Sequence, residues 1–245
     1  MDRLGELKKL LLESKHCTVF TGAGVSTLAG IKDFRGKNGI YNTAGIDAEK
    51  IFDIDYFHSD PSFYYKAAKD FIYNLDMKEP AIVHTELARL EKMGIVKGII
   101  TQNIDLLHQK AGSRKVTEVH GSPLVHHCLR CGKSYGFEEI ARTVKQDIVP
   151  ACSCGGKIKP DITFFGESLP PLAVQEAIRM ASESDLMIIL GSTLVVYPAA
   201  SFPGYSVRNG GKLVIVNDME TPMDHLATLK FDDLETVFDY IKENI

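Results

Sequence analysis

Four short stretches of the chain are largely apolar and show no polar–apolar alternation: Cys17-Thr18-Val19-Phe20-Thr21, Val96–Thr101, Leu186–Leu190 and Lys212–Val216. A strand with one wet face alternates polar and apolar residues, whereas a run without alternation needs cover on both faces. Helical spacing fills the intervals. Leu4, Leu7 and Leu11 predict a helix over 3–14, and Ala81–Met93 a second, with Pro80 near its start. Leu172–Ser182, after Pro170-Pro171, and Leu234–Glu243 read the same way. Strand alternating with helix specifies an α/β fold, a mostly parallel sheet with helices on both faces. At 245 residues, 44% of them hydrophobic, the chain has length for one to two domains and a sizeable core.

Two stretches break the alternation. Residues 36–76 are aromatic and polar, with Tyr41, Phe52, Tyr56, Phe57, Phe63, Tyr64, Tyr65, Phe71 and Tyr73, and are expected to form short helices around a satellite core. Residues 124–159 hold four of the five cysteines. The expected division is therefore a sheet lobe of residues 1–35, 77–123 and 160–245, a helical insert over 36–76 and a metal-binding insert over 124–159. The two inserts form a smaller lobe.

Cys128-x2-Cys131 and Cys152-x-Cys154 are two close pairs 20 residues apart, the arrangement of a four-thiolate zinc site built from two tight knuckles. Four thiolates leave no open position for water, so the metal is structural. The neighbouring His126 and His127 are expected to be solvated rather than ligands. Cys17, in its apolar strand, reads as a core residue. Lys+Arg of 28 against Asp+Glu of 32 gives −4, which argues against strong nonspecific nucleic-acid binding. Met1-Asp2-Arg3-Leu4-Gly5-Glu6 lacks a signal-peptide core, and no apolar run approaches the ~18–20 residues of a membrane span. A cytoplasmic location with reduced thiols is the expectation.

Gly22-Ala23-Gly24-Val25-Ser26-Thr27 follows the first strand, where glycines permit close approach of a phosphate. The sixth position is Thr27, and the acidic residue ~20 positions on is missing, which disfavours an ordinary dehydrogenase. The longer string runs through Leu28-Ala29-Gly30-Ile31-Lys32 to Asp33-Phe34-Arg35. Thr101-Gln102-Asn103-Ile104-Asp105, Val119-His120-Gly121 and Gly191-Ser192-Thr193-Leu194-Val195-Val196-Tyr197-Pro198 lie at or after other strand ends. Ligands of parallel α/β sheets bind beyond the carboxyl ends of strands, so all four strings can converge on one crevice.

Taken in this order, with paired cysteines between His120-Gly121 and Phe164-Phe165-Gly166-Glu167, these strings resemble the sirtuins, NAD-dependent protein deacylases, over nearly the whole chain. Two positions depart from the family pattern: Lys32 stands where Pro is usual, and the second cysteine knuckle is one residue short. The resemblance implies a Rossmann-like sheet lobe and a zinc-ribbon insert. It also implies a reaction in which the carbonyl oxygen of acetyl-lysine displaces nicotinamide from NAD and a ribose hydroxyl then attacks the acyl carbon. Water completes the transfer, giving free lysine, nicotinamide and O-acetyl-ADP-ribose. Nicotinamide is expected to inhibit as well as to leave.

On this resemblance His120 is the general base, an imidazole able to accept a proton at neutral pH, and Asn103 the second catalytic residue. Asn103 and Asp105 would bond a ribose, a water or the nicotinamide carboxamide, or else cap a helix. Ile104 and Phe34 would wall the nicotinamide pocket. Arg35 would pair with phosphate or sit in a surface ion pair. Gly22, Ala23, Gly24 and Thr27 would cradle the pyrophosphate with Gly191, Ser192 and Thr193, while Asp33 and Gln102 complete the cofactor set. Asn217 would reach the adenosine ribose, with Asp218 assisting or lying in a solvated turn. Phe165, Gly166, Glu167, Val195 and Val196 would sandwich an extended acetyl-lysine peptide. Protein mono-ADP-ribosyl transfer and a non-catalytic NAD-sensing module are the competing readings. Family members that prefer succinyl-lysine carry Tyr-x-x-Arg in the helical insert; here Ala67 and Ala68 follow Tyr64 and Tyr65 at that spacing. Acetyl-lysine or longer neutral acyl groups are therefore expected.

Overall fold

The computed structural model describes residues 2–33, 39 and 48–245. Phe34, Arg35 and Tyr41 lie outside them. The described strands are β1 (Cys17–Thr21), β2 (Val96–Thr101), β3 (Val116–Glu118), β4 (Gly121–Cys128), β5 (Ser134–Gly136), β6 (Ile158–Ile162), β7 (Leu186–Leu190), β8 (Lys212–Val216) and β9 (Leu229–Phe231). Six of them form one sheet in the order β3-β2-β1-β7-β8-β9, and every pairing in it is parallel. The other three form a small antiparallel sheet, β5-β4-β6.

The apolar runs are strands because consecutive residues serve opposite faces. Val19, Ile99, Ile188 and Val214 pack with the helices Arg3–Glu13, Ile82–Lys92 and Leu234–Asn244. Their neighbours Phe20, Ile100, Ile189 and Ile215 pack on the other face with the helices Pro171–Glu183 and Pro203–Arg208. Each such aliphatic side chain contributes about 1.5–3 kcal/mol when fully buried. The helix ends carry their own signals: Asp2 accepts from the Gly5 N–H at 2.7 Å, Asp233 accepts from Glu235, and Pro171 occupies a first turn. Among the described residues no helix is long and apolar enough to cross a membrane.

A third core joins the two interrupting stretches. The short helices Ile54–Ser59 and Pro61–Ala68 contribute Phe57, Tyr64 and Tyr65, and these pack in one cluster with Cys128, Tyr135, Ile140, Cys152 and Ile158 of the cysteine-bearing segment. The aromatic run is thus a shared core rather than a satellite under a loop. His126 departs from expectation for the same reason: it is fully buried in this core, and its Nε2 lies 2.9 Å from the Tyr73 hydroxyl. His127, next to it, points outward and bonds Asp161 at 2.6 Å.

The turn after β7 fixes the spacing at the centre of the large sheet. Gly191 has φ +58°, and a Cβ there would fall 2.5 Å from the Val25 nitrogen and 2.8 Å from the Gly24 Cα. The Gly24 N–H donates to the Gly191 carbonyl at 2.9 Å, so neither backbone can retreat without losing that bond. Gly191→Ala is expected to lower stability by about 1–3 kcal/mol through overpacking and a strained backbone. Thermal unfolding will show it as a lower Tm; an unchanged Tm would mean the two turns part freely.

Candidate active site

A cleft of ≈ 320 Å³ opens where β1, β2, β7 and β8 end. The turn after β1 brings Gly22, Ala23 and Gly24 to it, with Asp33 further along. Gln102, Asn103, Ile104 and Asp105 arrive from the exit of β2, and His120 from the segment joining β3 to β4. Gly191, Ser192 and Thr193 line it from β7, and Asn217 and Asp218 from β8. Phe165, Gly166, Glu167 and Val196 complete the set of expected residues that border it. Thr27 and Val195 are not among the lining residues: the Thr27 hydroxyl turns back to the Gly24 carbonyl at 2.8 Å, and Val195 is exposed.

The glycine-rich turn offers shape more than donors. Its N–H groups at Gly22, Gly24, Val25 and Ser26 are already bonded to Leu190, Gly191, Gly22 and Ala23 carbonyls. What it presents is backbone without side chains, open to close approach.

Asn103 is fixed from three sides. Its N–H donates to the Thr101 hydroxyl at 3.0 Å, and its Nδ2 donates to the Gly22 carbonyl at 3.0 Å and to Ser26 Oγ at 3.1 Å. With the amide nitrogen engaged, Oδ1 is the atom it can present as an acceptor. Ser26 in turn donates to Asp105 Oδ2 at 2.6 Å, while Asp105 Oδ1 accepts from the Leu107 N–H. Asp105 therefore lines the site and also satisfies the first N–H of the helix Leu107–Lys110 from one position before its N-cap, Leu106; Asn103 makes no such bond. Below them Thr21 bonds Thr101 at 2.8 Å and His108 at 3.0 Å. Ser26, Thr21, Thr101 and His108 had no assigned role in the sequence reading. Ser26, inside the glycine string, and Thr101, at the head of the second string, carry a sequence signal; Thr21 stands out only as a strand residue, and His108 not at all.

His120 has a defined tautomer. Its Nδ1 lies 2.8 Å from the Gln102 carbonyl, which can only accept, so Nδ1 carries the proton and Nε2 bears the free lone pair. Burial lowers the imidazole's pKa below the usual histidine range, and the bond to Gln102 opposes this only in part. The following Gly121 is required: with φ +76° it starts β4 pressed against β6, and a Cβ would collide with the Asp161 carbonyl. The Thr163 N–H donates to the His120 carbonyl at 2.8 Å, tying the backbone of His120 to the segment that leads into the Phe164–Glu167 loop.

Away from the cleft, the sulfurs of Cys128, Cys131, Cys152 and Cys154 all lie within 4.8 Å of one another. Cys128 and Cys154 are 3.5 Å apart, and Cys131 and Cys152 3.6 Å. Four sulfurs each ~2.3 Å from one zinc would be ~3.8 Å apart, so the set fits a tetrahedral ion. The short second knuckle closes through Cys152 N–H to Gly156 O at 3.0 Å and Gly155 N–H to Cys152 O at 2.8 Å. One zinc per chain is expected by metal analysis. Metal binding at such sites is folding free energy on the order of 10 kcal/mol, so a strong chelator should lower the Tm; a metal-free preparation of equal stability would contradict the assignment.

The Sir2 family profile matches residues 22–198. A relative from Thermotoga maritima named NAD-dependent protein deacetylase is 48% identical over 231 residues, covering 94% of this chain and 93% of the relative. One of the same name from Sulfolobus acidocaldarius is 41% identical, covering 97% and 93%. Among solved structures, one of Sir2 with a deacetylated p53 peptide and acetyl ADP ribose superposes with a TM-score of 0.92 at 46% identity, covering 99% of each chain. A Sir2–p53 peptide–NAD+ structure does so with a TM-score of 0.88 at 45% identity, covering 99% of this chain and 97% of that one. With its doubly covered parallel sheet, its cysteine cluster and its cleft at the strand ends, this chain belongs to the Sir2 family.

Proposed function

We propose that the chain is an NAD-dependent protein lysine deacetylase, which uses water to convert NAD and an acetyl-lysine protein into nicotinamide, O-acetyl-ADP-ribose and free lysine. The observation that carries this reading is the contact of His120 Nδ1 with the Gln102 carbonyl at 2.8 Å on the cleft wall, which makes Nδ1 the donor and leaves Nε2 as the acceptor. The reaction needs one proton removed from a ribose hydroxyl as it attacks the acyl carbon, and Nε2 is suited to take it. Asn103 orients the reacting ribose or a water through Oδ1. The turns around Gly22–Gly24 and Gly191–Thr193 receive the diphosphate, Asn217 and Asp218 the adenosine end, and Ile104 walls the nicotinamide, which also rebinds as an inhibitor. Phe165, Gly166 and Val196 border the acyl-peptide. Zinc, held by Cys128, Cys131, Cys152 and Cys154, supplies structure and no step. A four-thiolate site fits a reducing compartment, and we place the protein in the cytoplasm.

General-base catalysis contributes typically 10²–10⁴-fold, so His120→Ala should lower kcat by at least about 100-fold while NAD binding persists. Near-normal turnover would reject the assignment, and ADP-ribose attached to protein instead of O-acetyl-ADP-ribose, seen by mass spectrometry, would reject the reading. The imidazole must be neutral to act. Because burial lowers its pKa, activity should stay level through neutral pH and fall only below ~6.5. A kcat/KM profile with its acid limb centred above that value would contradict the placement.

The acyl end is apolar. Phe52, Phe71, Ile72, Leu75, Ile162 and Phe164 are apolar residues among the cleft's lining, and we assign the acyl group to them. Tyr64 is fully buried away from it, Tyr65 donates to the Ile158 carbonyl, Lys66 is exposed, and Lys69 pairs with Asp147 at 2.6 Å. A carboxylate placed there would be desolvated among apolar side chains, and none of these six supplies a cation. Acetyl-lysine should therefore exceed succinyl-lysine by at least about tenfold in kcat/KM on one peptide, ~1.4 kcal/mol of transition-state binding; equal desuccinylation would show a cation reaching the wall.

A further inference from the structure

Lys159 is a lysine where a core residue is expected. It lies on β6 with its side chain only 6% exposed. All three N–H donors of its ammonium are used: Nζ lies 2.8 Å from Glu167 Oε2, 2.7 Å from the Ile162 carbonyl and 3.2 Å from the Pro160 carbonyl. The Phe164 ring lies over the same ammonium, 4.1 Å from Nζ to the centroid. No donor remains for a ligand, so this cation does not bind substrate itself.

Its partners are the two ends of one loop. Ile162 precedes the segment Thr163–Gly166, and Glu167 closes it. Glu167 Oε2 also accepts from the Phe164 N–H at 2.8 Å, so the carboxylate is turned back under the loop. On the other side the loop is stitched to the helical segment: Phe165 N–H donates to the Phe52 carbonyl at 2.6 Å, and Ile54 N–H donates to the Phe165 carbonyl at 3.1 Å. Thr163 N–H reaches the His120 carbonyl. The loop therefore carries no slack between the imidazole and the face that borders the peptide. A buried ion costs free energy unless fully paired, and an apolar residue would fill this space more cheaply. What the charge adds is a fixed distance between Ile162 and Glu167.

We propose that Lys159 is a positioning residue for the acyl-peptide, clipping Ile162 to Glu167 so that Thr163–Gly166 stays extended beside His120. This rests on the deacetylase reading above. The test is steady-state kinetics of Lys159→Met, Lys159→Arg and Glu167→Gln with an acetyl-lysine peptide and NAD varied separately. Lys159→Met should raise the peptide KM at least about tenfold, with the NAD KM within about twofold and kcat within about threefold. Lys159→Arg, which restores the charge and can bond Glu167, should bring the peptide KM back to within about threefold of wild type. Glu167→Gln keeps an acceptor for the Phe164 N–H but loses the ion pair, and should give an intermediate rise. Hydrogen exchange at the Phe164 and Phe165 amides should quicken in the Met and Gln variants. An unchanged peptide KM in Lys159→Met overturns the proposal, and so does equal loss of peptide and NAD affinity. Should Lys159→Met fail to fold, an unchanged peptide KM in Glu167→Gln overturns it. A wild-type enzyme with no acetyl-peptide-dependent nicotinamide release would instead sink the deacetylase reading, and unaltered exchange in the variants would then reject the clip independently.

Discussion

The site depends on how closely the exits of β1 and β7 approach each other. Gly24 and Gly191 meet backbone to backbone, with a hydrogen bond between them and no room for a methyl group. In the order β3-β2-β1-β7-β8-β9 this is where the chain changes direction, from strands added on one side of β1 to strands added on the other. Such a switch leaves a crevice beyond the strand ends. Two glycines set its depth, and Gln102 spans it by donating to Ser192 Oγ at 2.8 Å. Asn103 and Asp105 then stand on one wall and Ser192 and Asn217 on the other, although 86 residues and more separate them in sequence.

The second lobe is coupled to this crevice through packing rather than ligands. Phe164, at the cleft, belongs to the same buried cluster as Cys128, Cys152 and the insert tyrosines. Phe52 meets Phe164 edge-on at 5.5 Å between ring centroids, and Tyr73 stacks on Phe137 at 5.8 Å. The Tyr73–His126 bond ties the helical segment to β4 inside that cluster. A zinc site with no open position can thus matter to catalysis without touching a substrate: its ribbon forms one side of the core on which the loop 163–166 rests.

The sheet was legible because its four central strands are mostly apolar with no polar–apolar alternation, and a pattern with no polar face has few other solutions. β3 and β9 carried no such signal. Each is three residues long at an edge, where pairing with β2 or β8 decides the conformation more than composition does. The cysteine spacing was informative because metal geometry is strict. His126 was misread because one-dimensional proximity to Cys128 says nothing of Tyr73, 53 residues away, which supplies its partner. The same limit hid the Thr21–Thr101–His108 triad and the Lys159–Glu167 pair: buried polar groups are placed by partners distant in the chain, and sequence shows only one member at a time.

The charge pattern of the cleft suits the bond that the proposed reaction breaks. As nicotinamide leaves, positive charge moves from the ring toward the ribose carbon, and catalysis favours surroundings that do not oppose it. Apart from Glu167, whose charge is paired, the described lining carries carboxylates at Asp33, Asp105 and Asp218, and among its lysines and arginines only Lys32. Lys159 lies beneath the loop with its charge matched by Glu167. A protonated His120 would add a cation beside the developing one. Burial disfavours this by lowering the ring's pKa, against a smaller opposing effect of the Gln102 bond, and that carbonyl selects the tautomer. In the proposed reaction one placement would thus serve two ends: a neutral imidazole would accept a proton in the later step and add no repulsion in the earlier one.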